Sequence, residues 1–146
     1  MIRVRQATLD DVAEILPRTQ ALNAEEGIVI DERSLEAALR RLLTEPSLGA
    51  VWLAEDDRVI GHAVVTYGYD LEFGGRDAFL TELWVDERER RRGAGSALLA
   101  AIADALRAID VRALHLQVRT NNAALRLYER HGFVRSPRVI MTRRLD

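Results

Sequence analysis

The stretch RERRRGAGSALL, residues 88–99, sets four arginines around one glutamate, then two glycines flanking an alanine, then the start of an apolar run. Upstream, FLTELWV (79–85) reads as a strand. Downstream, Leu99, Ile102, Leu106 and Ile109 recur at helical spacing, so the stretch is a strand-to-helix junction. A helix that opens on Gly93, Ala94 and Gly95 presents backbone N–H groups with no partner inside the helix. The aligned peptide dipoles and the missing Cβ atoms suit such an end to a phosphate. Arg90, Arg91 and Arg92 add guanidinium forks that match phosphate oxygens. Two familiar nucleotide motifs do not fit: all 21 basic residues are arginine, so there is no P-loop lysine, and Leu98 stands where a dinucleotide fingerprint needs its third glycine. The other reading of residues 86–92 is a solvated charged loop followed by a tight turn.

Working outward, ALHLQV (113–118) alternates Leu114, Leu116 and Val118 inward, which completes a strand, helix, strand unit. Ahead of it, residues 50–73 read as two strands joined at Glu55 to Arg58, and GGRD (74–77) is the next turn. IRVRQA (2–7) is a first strand. Thr8 and Asp11 open a first helix carrying Val12, Ile15, Leu16 and Leu22, which Pro17 is expected to kink. NAEEGIV (23–29) is expected as an acidic loop, and Asp31 caps a second helix with Leu35, Leu39, Leu42 and Leu43. NNAALRLYERHG (121–132) is a short helix ended by Gly132, and FVRSPRVIMTRRL (133–145) is expected to form one or two final strands. The expected fold is one α/β (α+β) domain over residues 1–146, ordered β-α-α-β-β-β-α-β-α-β-β, with one mixed sheet and helices on both faces.

Composition narrows the function classes. No apolar run approaches the roughly 20 residues that span a bilayer, so no membrane partner is expected. MIRVRQATLDD has no apolar stretch of the secretory kind, and a cytoplasmic location is expected. A net charge of -2 argues against a nucleic-acid partner, which would call for a broad basic face. With no cysteine, disulfides, thiolate metal sites and a cysteine nucleophile are excluded. His62, His115 and His131 are scattered without metal-ligand spacing, so no metal is expected and each is read as structural.

The loop Arg90-Arg91-Arg92-Gly93-Ala94-Gly95 resembles the Q/R-x-x-G-x-G/A loop of the GCN5-related N-acetyltransferase (GNAT) family. FLTELWV is similar to the family's fourth strand, and residues 121–133 resemble its motif N-x-x-A-x-x-L-Y-E-x-x-G-F. Order and spacing agree, and the resemblance covers essentially the whole chain. It implies a mostly antiparallel mixed sheet of six to seven strands. It also implies transfer of an acetyl group from acetyl-coenzyme A to an amine, without a metal. The pyrophosphate would lie on the amides of residues 91–96, Ser96 included. The pantetheine arm would pair with the backbone of Leu83 and Val85, and the Val85 N–H would polarise the thioester carbonyl.

By the same resemblance, Tyr128 donates to the departing sulfur and Asn121 lies near the pantetheine. The alternatives are a core tyrosine packed under its helix and an ordinary helix N-cap. Glu82, from strand four, is expected either as a general base or as a group that only binds a cationic acceptor. Without cysteine, direct attack in a ternary complex is the expected route. The acceptor would be read by the loop after helix one, with Asn23, Glu25 and Glu26, and by the hairpin after strand three, with Tyr67, Tyr69, Asp70, Glu72 and Phe73. These carboxylates fit either a solvated surface or a pocket for a small cationic primary amine. The alternatives are a non-catalytic coenzyme A-binding or regulatory module, or a protein (lysine or N-terminal) acetyltransferase. Relatives of this type often form homodimers.

Overall fold

The computed structural model describes residues 1–146. The chain runs β1 (Arg3–Gln6), α1 (Val12–Glu25), α2 (Glu32–Thr44), β2 (Gly49–Asp56), β3 (Arg58–Asp70), β4 (Gly75–Val85), α3 (Ala94–Ala108), β5 (Ala113–Leu116) and α4 (Leu125–Arg130). The five strands form one sheet in the order β1-β2-β3-β4-β5. The first four pair antiparallel, and β5 returns parallel to β4 after α3, which is the connection a parallel pair requires.

Strands β2 and β3 are apolar on both faces because helices cover both. One face packs Trp52, Ile60, Val65 and Leu80 against Leu98, Leu99, Ile102 and Leu106 of α3. The other packs Val51, Leu53 and Val64 against Val12, Ile15 and Leu16 of α1 and Leu39 of α2. Ile109, expected on the buried stripe of α3, is instead the residue that ends the helix and is 43% exposed. Leu98 takes the place in the core.

Thr8 and Asp11 form a capping box through a single 3-10 turn, and α1 follows directly. It continues through Pro17 as one element and ends at Glu25, so Asn23 and Glu25, expected in a loop, are helical. The largest departure is at the C-terminus. Residues 133–145 form no strand, and the sheet has five strands rather than six to seven. Phe133 packs against the core, but Val134, Val139 and Met141 are at least 80% exposed. Pro137 offers no N–H to a ladder, and Arg135 and Arg138 tie the segment down by side chains, to Glu129 and Glu72.

Candidate active site

The site begins with a defect in the sheet. In the β3–β4 ladder Val64 faces Glu82 while Val65 faces Leu80, so Thr81 is an extra residue on β4. The β4–β5 ladder stops at the same place, with Leu80 opposite Leu116. Beyond it, β4 stays paired only to β3, and a cleft of about 590 Å³ opens between the two parallel strands. Asp86 N–H donates to Ile60 O at 2.8 Å, so by alternation Leu83 and Val85 turn their N–H and C=O groups to the unpaired edge. The cleft is lined by Glu82 and Leu83 of β4, by Leu116 and Val118 beyond β5, by Leu22 of α1 and by Tyr128 of α4.

Glu82 and Tyr128 thus reach one space from opposite faces of the sheet. Tyr128 packs against the α3 face, with its ring edge-on to Phe133 at 5.8 Å, and burial pushes its phenol up from the ordinary value. It therefore stays a proton donor at neutral pH. Glu82 lies towards α1. Its Oε1 accepts the Thr19 hydroxyl at 2.7 Å and lies 2.8 Å from Nε2 of His62, which is fully buried. His62, expected to be structural, and Thr19, which carries no motif, are thus the two groups that hold this carboxylate. The available signal was a lone histidine inside the apolar run VIGHAVV on a strand buried on both faces.

At the other end of β4, α3 starts on Gly93, whose φ of +90° favours glycine. No side chain caps this end, and no acid lies in its first turn, so the free amides of Ala94, Gly95 and Ser96 fit an anionic group. The two glycines differ in purpose. A Cβ at Gly93 would meet nothing within 4 Å, whereas at Gly95 it would come 3.1 Å from Leu127 Cδ2, so Gly95 also lets α4 approach α3.

The three arginines of the loop divide likewise. Arg92 is held by Glu89 and Asp56. Arg90 stacks over Trp84 at 4.8 Å and donates from Nε to Val85 O at 2.9 Å, which occupies an acceptor on the open edge. Arg91, with φ +65°, makes no ion pair and is the guanidinium left for an anion. Ser96 is bonded to Nε2 of His131 through its hydroxyl, so only its amide faces the helix end unengaged.

Of the other expected site residues, Asn23 and Glu26 line the cleft and the rest lie apart from it. Asn121 does not cap α4, whose N-cap is Ala124; it lines a shallow separate depression, and Asn122 lines the cleft in its place. Glu26 lines the cleft but is paired with Arg119 at 3.2 Å, while the exposed Glu25 faces Arg90 at 4.0 Å. Tyr69 is 72% exposed near the far end of β3, opposite Arg76, and does not reach the cleft. No group of three or more histidine, aspartate or glutamate side chains is arranged to hold a metal ion, and no helix is long and apolar enough to cross a membrane.

The α/β domain, with its fourth strand split from its fifth and an uncapped helix following, shares its fold with a probable acetyltransferase at a TM-score of 0.88. Residues 12–133 match the Acetyltransferase (GNAT) family, and the chain belongs to that family. Among solved structures, an integron cassette protein from the mobile metagenome of Cole Harbour Salt Marsh is 29% identical. Its TM-score is 0.87, and the match covers 98% of this chain and 90% of that one. A predicted acetyltransferase from Clostridium acetobutylicum, solved with acetyl-CoA, is 16% identical with a TM-score of 0.82 over 98% of this chain and 96% of that one. An aminoglycoside acetyltransferase from an uncultured soil metagenomic sample, in complex with sisomicin, is 15% identical with a TM-score of 0.77 over 98% and 95%. These last two likenesses concern the fold. No curated protein matches the chain in sequence.

Proposed function

We propose that this chain transfers an acetyl group from acetyl-CoA to the primary amine of a small cationic molecule, by direct attack in a ternary complex. One observation carries the reading: a carboxylate, Glu82, and a half-buried phenol, Tyr128, share a cleft whose wall is the unpaired edge of a strand. Acetyl-CoA supplies the thioester whose carbon the amine attacks. The amides of residues 91–96 and Arg91 suit its pyrophosphate, and the Leu83 and Val85 edge suits an amide-bearing arm.

An amine attacks only as the free base, so Glu82 takes the ammonium proton, directly or through water. As the new N–C bond forms and the C–S bond breaks, Tyr128 gives its proton to the sulfur, and the proton shed by the new amide nitrogen restores the phenol. The absence of cysteine leaves no thiol to carry an acyl group between the two substrates. Of the charged side chains lining the cleft, Glu26 and Arg119 neutralise each other and Glu82 is left to face a cation. The likeness to an aminoglycoside acetyltransferase agrees with such an acceptor.

The test is release of free thiol from acetyl-CoA across an amine panel of spermidine, sisomicin, lysine-bearing and N-terminal peptides, and neutral amines. Release with the small cationic amines is expected. Release with peptides alone would transfer the assignment to protein acetylation, and binding of coenzyme A without release on any amine would leave a non-catalytic module.

A further inference from the structure

Oxygen Oε1 of Glu82 is approached from the same side by two groups, the Thr19 hydroxyl at 2.7 Å and His62 Nε2 at 2.8 Å. The other oxygen, Oε2, has no partner within the chain, and the glutamate lines the cleft. His62 is 0% exposed, and its Nδ1 is buried with no hydrogen-bond partner. That orphan atom distinguishes among the states of the ring. A proton on Nδ1 would be a buried donor with nothing to accept it, in the neutral Nδ1–H tautomer and in the imidazolium alike, and orphaned N–H donors are the rarer and costlier case. With its proton on Nε2, the ring instead donates to an ionised carboxylate and leaves only a lone pair unpaired.

We infer that His62 is a positioning residue for Glu82: as the neutral Nε2–H tautomer it works with Thr19 to clamp Oε1, so that Oε2 alone meets the acceptor amine. The inference rests on the reading of Glu82 as the group that meets the amine, and it adds how that group is held. Each element contributes one part: α1 brings Thr19, β3 brings His62 with its partner Trp84 across the ladder, and the bulge at Thr81 sets the register of Glu82. A carboxylate on a free side chain would sample several rotamers; two donors on one oxygen fix both its rotation and which lone pairs face the cleft.

The experiment reads the ring itself. In the full chain labelled with ¹⁵N, long-range proton–nitrogen spectra at neutral pH are expected to show the Nε2–H pattern for one of the three histidines, identified by its loss in His62→Phe. Its Nε2 proton is expected to move upfield in Glu82→Gln, where a neutral acceptor replaces the carboxylate. An Nδ1–H or imidazolium pattern, or a proton that ignores Glu82→Gln, overturns the clamp whether or not any amine is acetylated. Where thiol release is measurable, His62→Phe and Thr19→Val are each expected to lower kcat roughly tenfold or more, as loss of a hydrogen bond to a charged group implies, with KM for acetyl-CoA unchanged. Folded variants with wild-type kcat would equally refute it. Failure of every amine in the panel with the Nε2–H pattern intact would instead count against the catalytic reading and leave the clamp standing.

Discussion

The Arg18 guanidinium on α1 takes both carboxylate oxygens of Asp86, at 2.9 and 2.7 Å, across 68 residues of sequence. Its second terminal nitrogen also donates to Val59 O at 2.8 Å, and only 14% of the side chain is exposed. One half-buried fork thus fastens α1, the start of β3 and the first residue of the loop that leads to α3. Asp86→Ala leaves a largely buried cation with Glu14 as its remaining ionic partner, at 2.9 Å, whereas Arg18→Met removes the charge along with its need for a partner. We expect Asp86→Ala to cost about 2 kcal/mol or more in urea unfolding and Arg18→Met distinctly less. Equal losses would show that the fork contributes only packing.

A second fork, between the exposed Arg5 and the buried Asp11, makes stability depend on pH. Arg5 donates to both oxygens of Asp11, at 2.9 and 2.8 Å, and Thr8 N–H donates to one of them at 2.8 Å. The Arg5 hydrogen bonds hold the Asp11 carboxyl below the usual carboxylate range, against the opposing effect of its burial. A group depressed in the folded state contributes stability that is full above its unfolded value, roughly 3.9, and is lost as pH falls through the lower folded value. Urea midpoints are therefore expected to drop from pH 5 to pH 2 in the wild type, and Asp11→Asn to be less stable at pH 7 but to lose less over that window. Parallel pH curves for the two proteins would remove Asp11 from the acid response.

The glycines of the loop separate backbone strain from crowding. Gly93→Val meets open space but forces a β-branched residue to φ +90°, so the cost falls on the turn that presents the α3 amides. Gly95→Ala keeps helical geometry but pushes a methyl against Leu127 on α4, the helix that carries Tyr128. Calorimetry is expected to show acetyl-CoA affinity falling tenfold or more in Gly93→Val, a shift of at least about 1.4 kcal/mol. In Gly95→Ala kcat should fall along with affinity. Unaltered binding in Gly93→Val would show that the loop does not hold the pyrophosphate.

The junction at residues 88–99 and the helix bearing Tyr128 were legible because turn chemistry and helical period are local. Alternation likewise marked β1 and β5, and apolar runs marked β2 and β3, whereas β4 begins at Gly75, inside the expected turn 74–77. The split between β4 and β5 was not legible: it comes from one extra residue, Thr81, in a ladder whose register only the folded sheet defines. For the same reason His62 and Glu82, twenty residues apart, could not be paired on paper. The C-terminal strands were misjudged because the run Val139-Ile140-Met141 satisfies a strand pattern locally, while Pro137 and the anchored arginines decide its fate. Arg90 turns back on Val85 and Trp84 nearby, while Arg92 is held by Asp56, 36 residues away, so that Arg91 alone stays unpaired through a contact distant in sequence.

Tyr128 offers the sharpest test of the chemistry, because removing its hydroxyl leaves its packing on Phe133 in place. Burial disfavours the phenolate, so the hydroxyl remains protonated up to and beyond the ordinary phenol value of roughly 10. Tyr128→Phe is accordingly expected to lower kcat more than tenfold with the affinity for acetyl-CoA intact. In the wild type any basic limb of kcat that belongs to this residue should lie above pH 10, since deprotonation removes the donor, and the variant should lack that limb. Retention of wild-type kcat by Tyr128→Phe would reduce the tyrosine to a packing residue and leave the departing thiolate to be protonated by solvent.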